Sequence, residues 1–188
     1  MEEVRSQFPP GGDDVVRYGE ARNKLPYLEA CLLESTRLIP VPSAMLSREV
    51  CEPGVTIKGH HLPAGTHVFV NMYGSQMCDR HWVDPHRFNP ERFLEPGSRL
   101  SHNIFTFGYG NRICMGKHLA WLNMVTILTN LLRRYDFALP SGYARTGPGV
   151  IDPATGYPKI MDMTHFLSRK PADQDADCMI NISRAVAK

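Results

Sequence analysis

The sequence has no run of five or more Lys or Arg, no apolar stretch at its amino end, no C-x-x-C pair and no internal repeat. Each absence excludes something. With 21 Lys+Arg set against 19 Asp+Glu for a formal charge of +2, and no basic cluster, the electrostatic footprint of a nucleic-acid binder is missing. The opening segment MEEVRSQFPPGGDDVVRYGE is acidic and broken by proline and glycine, so it resembles neither a signal peptide nor a membrane anchor. The five cysteines, Cys31, Cys51, Cys78, Cys114 and Cys178, are scattered and odd in number. That fits neither a disulfide framework nor a zinc site, and points to a reducing compartment. Eight histidines include the adjacent His60 and His61, but neighbours on a strand face opposite ways and no H-E-x-x-H accompanies them, which favours surface histidines. What remains is 188 residues of ordinary globular composition, 43% hydrophobic and 21% charged, enough for one core in one domain or a piece of one.

Periodicity places two helices. In LPYLEACLLESTRLIP, Pro26 stands where a helix can start, apolar residues recur at Leu28, Cys31, Leu32 and Leu38, and Pro40 with Pro42 ends the pattern, predicting a helix over 26–38. GKHLAWLNMVTILTNLLRRYDF is apolar on nearly every face and closes on Arg133 and Arg134, cations suited to a helix carboxyl end. Asn123, Thr126, Thr129 and Asn130 interrupt it too often for a bilayer span, so it reads as a core helix. Between them, VTIKGHHLPAGTHVFVNM predicts a hairpin about a type I turn at Pro63-Ala64-Gly65. Residues 79–100 carry Pro85, Pro90 and Pro96 without a clean period, yet keep Trp82, Phe88 and Phe93 to bury, which describes an ordered meander. A strand is expected within KIMDMTHFLS, and the tail KPADQDADCMINISRAVAK is weakly patterned.

Cys114 sits in FTFGYGNRICMGKHLAW, at the mouth of the second helix, where unpaired N–H groups and the positive dipole end favour an anion and hence a thiolate. Gly108, Gly110 and Gly116 allow turns and close approach of a flat ligand. Arg112, two residues before the cysteine, presents a cationic fork for a carboxylate. Thiolate with a carboxylate-bearing macrocycle describes haem. Residue chemistry alone also fits a buried thiol packing as a small hydrophobe.

The spacing separates the two. Phe107, Gly110, Arg112, Cys114 and Gly116 spell F-x-x-G-x-R-x-C-x-G, which resembles the haem-ligand loop of the cytochrome P-450 superfamily of haem-thiolate monooxygenases. Two further resemblances follow the family's chain order: E-x-x-R at Glu34 and Arg37, and NPERF at 89–93. By themselves Glu34 and Arg37 would pass for a solvated i,i+3 pair. The wording is nearest to filamentous-fungal microsomal members, with a role in fungal secondary metabolism.

The resemblance implies a mainly α fold with small β-sheets, an α+β architecture, with residues 1–168 as the carboxyl-terminal part of the cytochrome P-450 domain and 169–188 as an unassigned tail. It implies that Cys114 is the axial ligand of haem b (iron protoporphyrin IX), that Phe107 shields the sulfur, and that Arg112 and Arg48 meet the propionates; Arg48 is equally a solvated strand-end charge. Glu34, Arg37 and Arg92 become a buried clamp holding the meander. The turn VPSAM passes over the haem with Val41 and Met45 as apolar substrate contacts, or is only a Pro-stiffened turn. The implied reaction inserts one oxygen atom into a small hydrophobic organic substrate, driven by electrons from NADPH through a separate NADPH–cytochrome reductase. Lys117, His118, Arg133 and Arg134 form its docking patch or a solvated helix end. The intact parent is expected at the cytoplasmic face of the endoplasmic reticulum membrane, held by an amino-terminal anchor absent from these residues. The distal helix with its A/G-G-x-D/E-T-T motif is absent from them as well, so the 188 residues alone are expected not to oxygenate. A non-catalytic haem- or partner-binding fragment, or a non-oxygenating isomerase or dehydratase of the same family, are the alternatives.

Overall fold

A computed structural model of the chain describes residues 1–11, 14–42, 46–143, 145–165, 169–173 and 179–186. Five α-helices lie in it: α1 (Glu2–Gln7), α2 (Tyr18–Ala21), α3 (Pro26–Leu38), α4 (Met72–Gln76) and α5 (Lys117–Arg134). Helix α3 has the bounds predicted from sequence, with proline in its first turn, where the missing N–H leaves no hydrogen bond unmade. Its apolar face buries Leu28 and Leu32 against Val125 of α5, joined by Val4, Val16, Ala21 and Leu25 from the amino-terminal segment. Each aliphatic side chain so buried stabilises the fold by roughly 1.5–3 kcal/mol.

The polar residues that interrupt α5 hold the segment before α2 in place. Asn130 donates from Nδ2 to Val16 O at 2.9 Å and accepts from Val16 N at 3.1 Å, as a neighbouring strand would. Arg133 donates to Pro9 O at 2.8 Å and pairs with Asp14 at 3.2 Å. Among the described residues, no helix is long and apolar enough to cross a membrane.

The strands are β1 (Arg48–Glu49), β2 (Val55–Ile57), β3 (His60–Leu62), β4 (His67–Val68), β5 (Tyr135–Ala138), β6 (Gly147–Ile151), β7 (Pro158–Lys159), β8 (Met163–His165), β9 (Arg169–Pro171) and β10 (Asn181–Arg184). Among the described residues they form five two-stranded antiparallel sheets, β1 with β4, β2 with β3, β5 with β10, β6 with β7 and β8 with β9. The fold is thus α+β, mainly helical with small sheets.

Three expectations change. The hairpin turns at Lys58-Gly59, both at positive φ, joining β2 to β3; Pro63-Ala64-Gly65 instead leads out of β3 toward β4, which pairs with β1. That second turn is type II, because Gly65 at φ +83 occupies its third position while Thr66 N bonds Pro63 O at 3.2 Å. Trp82 is fully buried and meets Phe93 edge-on at 6.2 Å, but Phe88 is 50% exposed and takes no part in the meander's core. The strand foreseen in Lys159–Ser168 is divided between the end of β7 and β8, with residues 166–168 outside the described residues.

The tail, weakly patterned in sequence, contributes a paired strand among its described residues. Asn181–Arg184 pairs residue for residue with Ala138–Tyr135, and Ala185 N continues the ladder to Arg134 O at 2.8 Å. On the amino-terminal side, Arg5 donates to Tyr135 O and Asp136 Oδ1, each at 2.8 Å.

Candidate functional site

Glu34 and Arg37 face inward from α3 and are fully buried. Their one-turn spacing allows a two-point contact: Arg37 Nε reaches Glu34 Oε2 at 2.7 Å and Nη2 reaches Oε1 at 2.9 Å. Glu34 Oε1 also accepts from Asn89 N at 2.9 Å and from Arg92 Nε at 3.3 Å. Arg92, 6% exposed, donates on to Val83 O at 2.8 Å, while Arg37 donates to Gln76 O at 2.8 Å. The Arg37 guanidinium lies 5.1 Å from the Trp82 ring centre, close enough for cation–π attraction. The two guanidinium groups share one carboxylate, and backbone carbonyls of Gln76, Val83, Arg87 and Asn89 accept their remaining N–H groups.

The cysteine loop follows the meander. Gly108 N bonds Phe105 O at 2.7 Å, closing a turn, and Gly108 itself leaves it at φ +73, a conformation that suits glycine. Cys114 N then bonds Phe107 O at 2.7 Å, so the chain folds back on itself just before α5, and Cys114 O accepts from Lys117 N at 3.2 Å. The Cys114 thiol is free and exposed beside the first turn of α5. Gly116 has an ordinary φ of −82, and a β-carbon there would meet only the Cys114 sulfur at 3.7 Å, so its value is closeness to that sulfur rather than a special turn.

Around the thiol the surface is unusually apolar for an open face. Met115 is 98% exposed and Tyr109 78%, with Ile113, Leu119 and Leu122 also exposed. Next to the loop, an open depression of about 460 Å³ runs from Gly108–Arg112 to β4, with Phe69, Val70, Met72 and Phe105 among its walls. Arg48 and Arg112 both line it, and neither has a carboxylate partner among the described residues. Cys114 does not line the depression; the loop carrying it does. A thiol donor, apolar walls and two unneutralised guanidinium groups fit a flat, largely apolar group that bears carboxylates and a thiophilic metal.

A model of the family Cytochrome P-450 matches residues 2–146. The chain belongs to the cytochrome P-450 family. It is similar over its whole length, at 38% identity, to the cytochrome P-450 monooxygenase helB1 of Aspergillus fumigatus, covering 31% of that protein. A second monooxygenase of that fungus, helB3, is 38% identical over 96% of this chain and 35% of its own. Human steroid 21-hydroxylase is 36% identical over 77% of the chain and 28% of its own length. Among solved structures, a zebra fish cytochrome P-450 with progesterone superimposes with a TM-score of 0.73 at 27% identity, over 98% of this chain and 37% of that one. The chain spans about a third of the length of the curated relatives it matches.

Within this cytochrome P-450 chain, Glu34, Arg37 and Arg92 converge in one network; Phe107, Gly110, Arg112, Cys114 and Gly116 share one stretch of chain leading into α5, and of these five only Arg112 lines the depression with Arg48. Val41 is 52% exposed just beyond α3, and Met45 lies outside the described residues. Arg133 leaves the expected docking patch, since it is buried and turned onto Pro9 and Asp14. Sequence reasoning had no handle on Gln76 and Thr106, two polar residues the fold buries between α3 and the loop. A lone glutamine near a turn carries no periodicity or motif that would single it out.

Proposed function

We propose that this chain carries the thiolate side of a cytochrome P-450 monooxygenase site, with Cys114 as the residue that would hold the iron of haem b. The supporting observation is a free, exposed thiol on a turn-locked loop beside an apolar depression bearing two unpaired arginines. A bound haem would supply oxygen-activating redox chemistry, using two electrons from NADPH through a separate reductase and two protons, for a reaction that puts one oxygen atom of dioxygen into a small hydrophobic substrate and the other into water. Cys114 would present its sulfur to the iron just before the amino end of α5. Arg112 and Arg48 would orient the group by donating hydrogen bonds to its carboxylates. Phe107 would pack beside the ligand loop and help shield the sulfur once the group is bound, with Ile113 and Met115 supplying further apolar contact. Glu34, Arg37 and Arg92 do no chemistry; they hold the meander against α3 so that the loop after it starts from a fixed point. Val41 and Met45 contact substrate, and Lys117 with His118 forms the cationic edge met by the reductase.

The exposed Leu119, Leu122, Ile127 and Leu131 of α5 support a further reading, that this chain binds a partner without oxygenating substrate.

The test is spectroscopic. In haem-loaded protein, Cys114→Ser should abolish the red-shifted Soret band of the ferrous carbonyl complex, whereas replacing Cys31, Cys51, Cys78 or Cys178 should leave it. An unchanged band in Cys114→Ser would overturn the assignment.

A further inference from the structure

Gln76, the last residue of α4, is fully buried, yet it packs for hydrogen bonding rather than for apolar contact. Its Nε2 donates to Arg37 O at 2.8 Å and Thr36 O at 3.2 Å. Its Oε1 accepts from Phe105 N at 2.8 Å and lies 3.4 Å from Thr106 Oγ1. Its backbone oxygen accepts from Arg37 Nη1 at 2.8 Å. Both amide hydrogens and the carbonyl oxygen are therefore used.

The partners explain why an amide is there. Thr36 O and Arg37 O belong to the last turn of α3, whose carbonyls have no helical donors ahead of them. The donor that would serve Thr36 O is the N–H of residue 40, which is proline and has none. Gln76 Nε2 and Thr106 Oγ1, the latter at 2.8 Å, supply the missing hydrogens. Across the same amide, Phe105 N–H points at Oε1. Only one orientation of the amide satisfies two carbonyls on one side and an N–H on the other.

Phe105 opens the cysteine loop. From Gln76 Oε1 the hydrogen bonds run through Phe105 N, then from Phe105 O to Gly108 N and from Phe107 O to Cys114 N, the last two at 2.7 Å each. Beyond Phe107 the loop is exposed at Tyr109, Ile113 and Met115 and has few other ties. Among the described residues, none of the hydrogen bonds of Glu34, Arg37 or Arg92 reaches residues 105–114 directly, whereas Gln76 bonds both Arg37 and Phe105.

We propose that Gln76 is a positioning residue for Cys114: it joins the buried Glu34–Arg37–Arg92 set to the cysteine loop and sets the register in which that loop presents its sulfur. This rests on the reading of Cys114 as haem ligand. Gln76 touches no reacting atom and acts through Phe105 and Phe107.

Gln76→Met, matched in length but unable to hydrogen-bond, tests it with two readouts. In haem-free protein, amide exchange of a peptide covering 105–114 should quicken about tenfold, as expected for losing one buried hydrogen bond. The α5 peptide over Val125–Arg133 should exchange as before. In haem-loaded protein, the share of ferrous carbonyl complex with the red-shifted Soret band should fall toward that of Cys114→Ser. Filling of space alone would leave that share where it was, since methionine fills the site equally well. A red-shifted band surviving Cys114→Ser refutes the ligand assignment and this inference with it. A band lost in Cys114→Ser yet undiminished in Gln76→Met refutes the role of Gln76 alone. If Gln76→Met does not fold, Gln76→Asn takes its place, keeping the amide but one methylene too short to span both partners; an undiminished band there refutes the role equally.

Discussion

Glu34→Ala is the sharpest test of the buried ion set. The substitution removes the acceptor for two Arg37 donors at 2.7 and 2.9 Å, for Arg92 Nε at 3.3 Å and for Asn89 N at 2.9 Å. Arg37 has no exposed surface and Arg92 has 6%, so neither guanidinium can turn to water for compensation. Leaving buried charge uncompensated costs on the order of 3–5 kcal/mol. Against a typical total of about 5–15 kcal/mol for a folded domain, that is about a fifth or more of all stability. With a urea slope of about 2 kcal/mol per M, the unfolding midpoint should drop by about 1.5–2.5 M at unchanged slope. Replacing all three, as Glu34→Leu with Arg37→Met and Arg92→Leu, should cost less than the single change, because no charge is then stranded. Equilibrium urea unfolding followed by tryptophan fluorescence reads both, Trp82 lying against Arg37. A midpoint within about 0.5 M of the parent for Glu34→Ala would mean the set contributes no more than a surface ion pair, and the argument from burial would be wrong.

Gly108→Ala places a β-carbon 3.3 Å from Arg112 O on a backbone at φ +73, whereas Gly110→Ala, at φ +63, meets nothing within 4 Å. Both carry the left-handed penalty of about 1–2 kcal/mol, so thermal melting should show Gly108→Ala as the more destabilising, and equal losses would sink the contact. The hydrogen bond and charge of Arg133 hold the Asp14 carboxyl below its ordinary pKa. A depressed folded-state pKa means stability that is complete above the unfolded-state value and vanishes as pH falls through the folded one. Asp14→Asn should therefore flatten the acid limb of stability against pH and leave the neutral region parallel; coincident acid limbs in parent and variant would contradict it.

What could be read from the amino acids was what repeats or is punctuated. Helix α3 was legible because Pro26, an apolar period and Pro40 all describe the same 13 residues. The cysteine loop was legible because fixed glycine and arginine spacings mirror a turn and a site. Pairing was not: β4 leaves β3 for β1, a choice made by where the preceding turn aims the chain, and two-residue strands have no alternation to reveal it. Arg133 looked like a solvated helix end because its partners, Pro9 and Asp14, lie 124 and 119 residues away. Phe88 looked like core because aromatic residues usually bury, yet the space beside Trp82 is taken by Phe93 and the Arg37 guanidinium. Gln76 is the same case in the site itself, a residue whose importance exists only once three distant segments meet.

The double capture of β5 sets a timetable for synthesis. Arg5 must wait until Tyr135 and Asp136 have been made before it can bond them, and β5 must wait for residues 181–184 before its other edge is covered. Closing a span of 131 residues is an entropic cost met late, so these contacts belong to the slow end of assembly. During translation at about 5–20 residues per second, the edge of β5 stands open for several seconds beside the apolar flank of α5. That interval is when a nascent chain would pair wrongly with a neighbour, and when a chaperone acting on the ribosome would have the most to do.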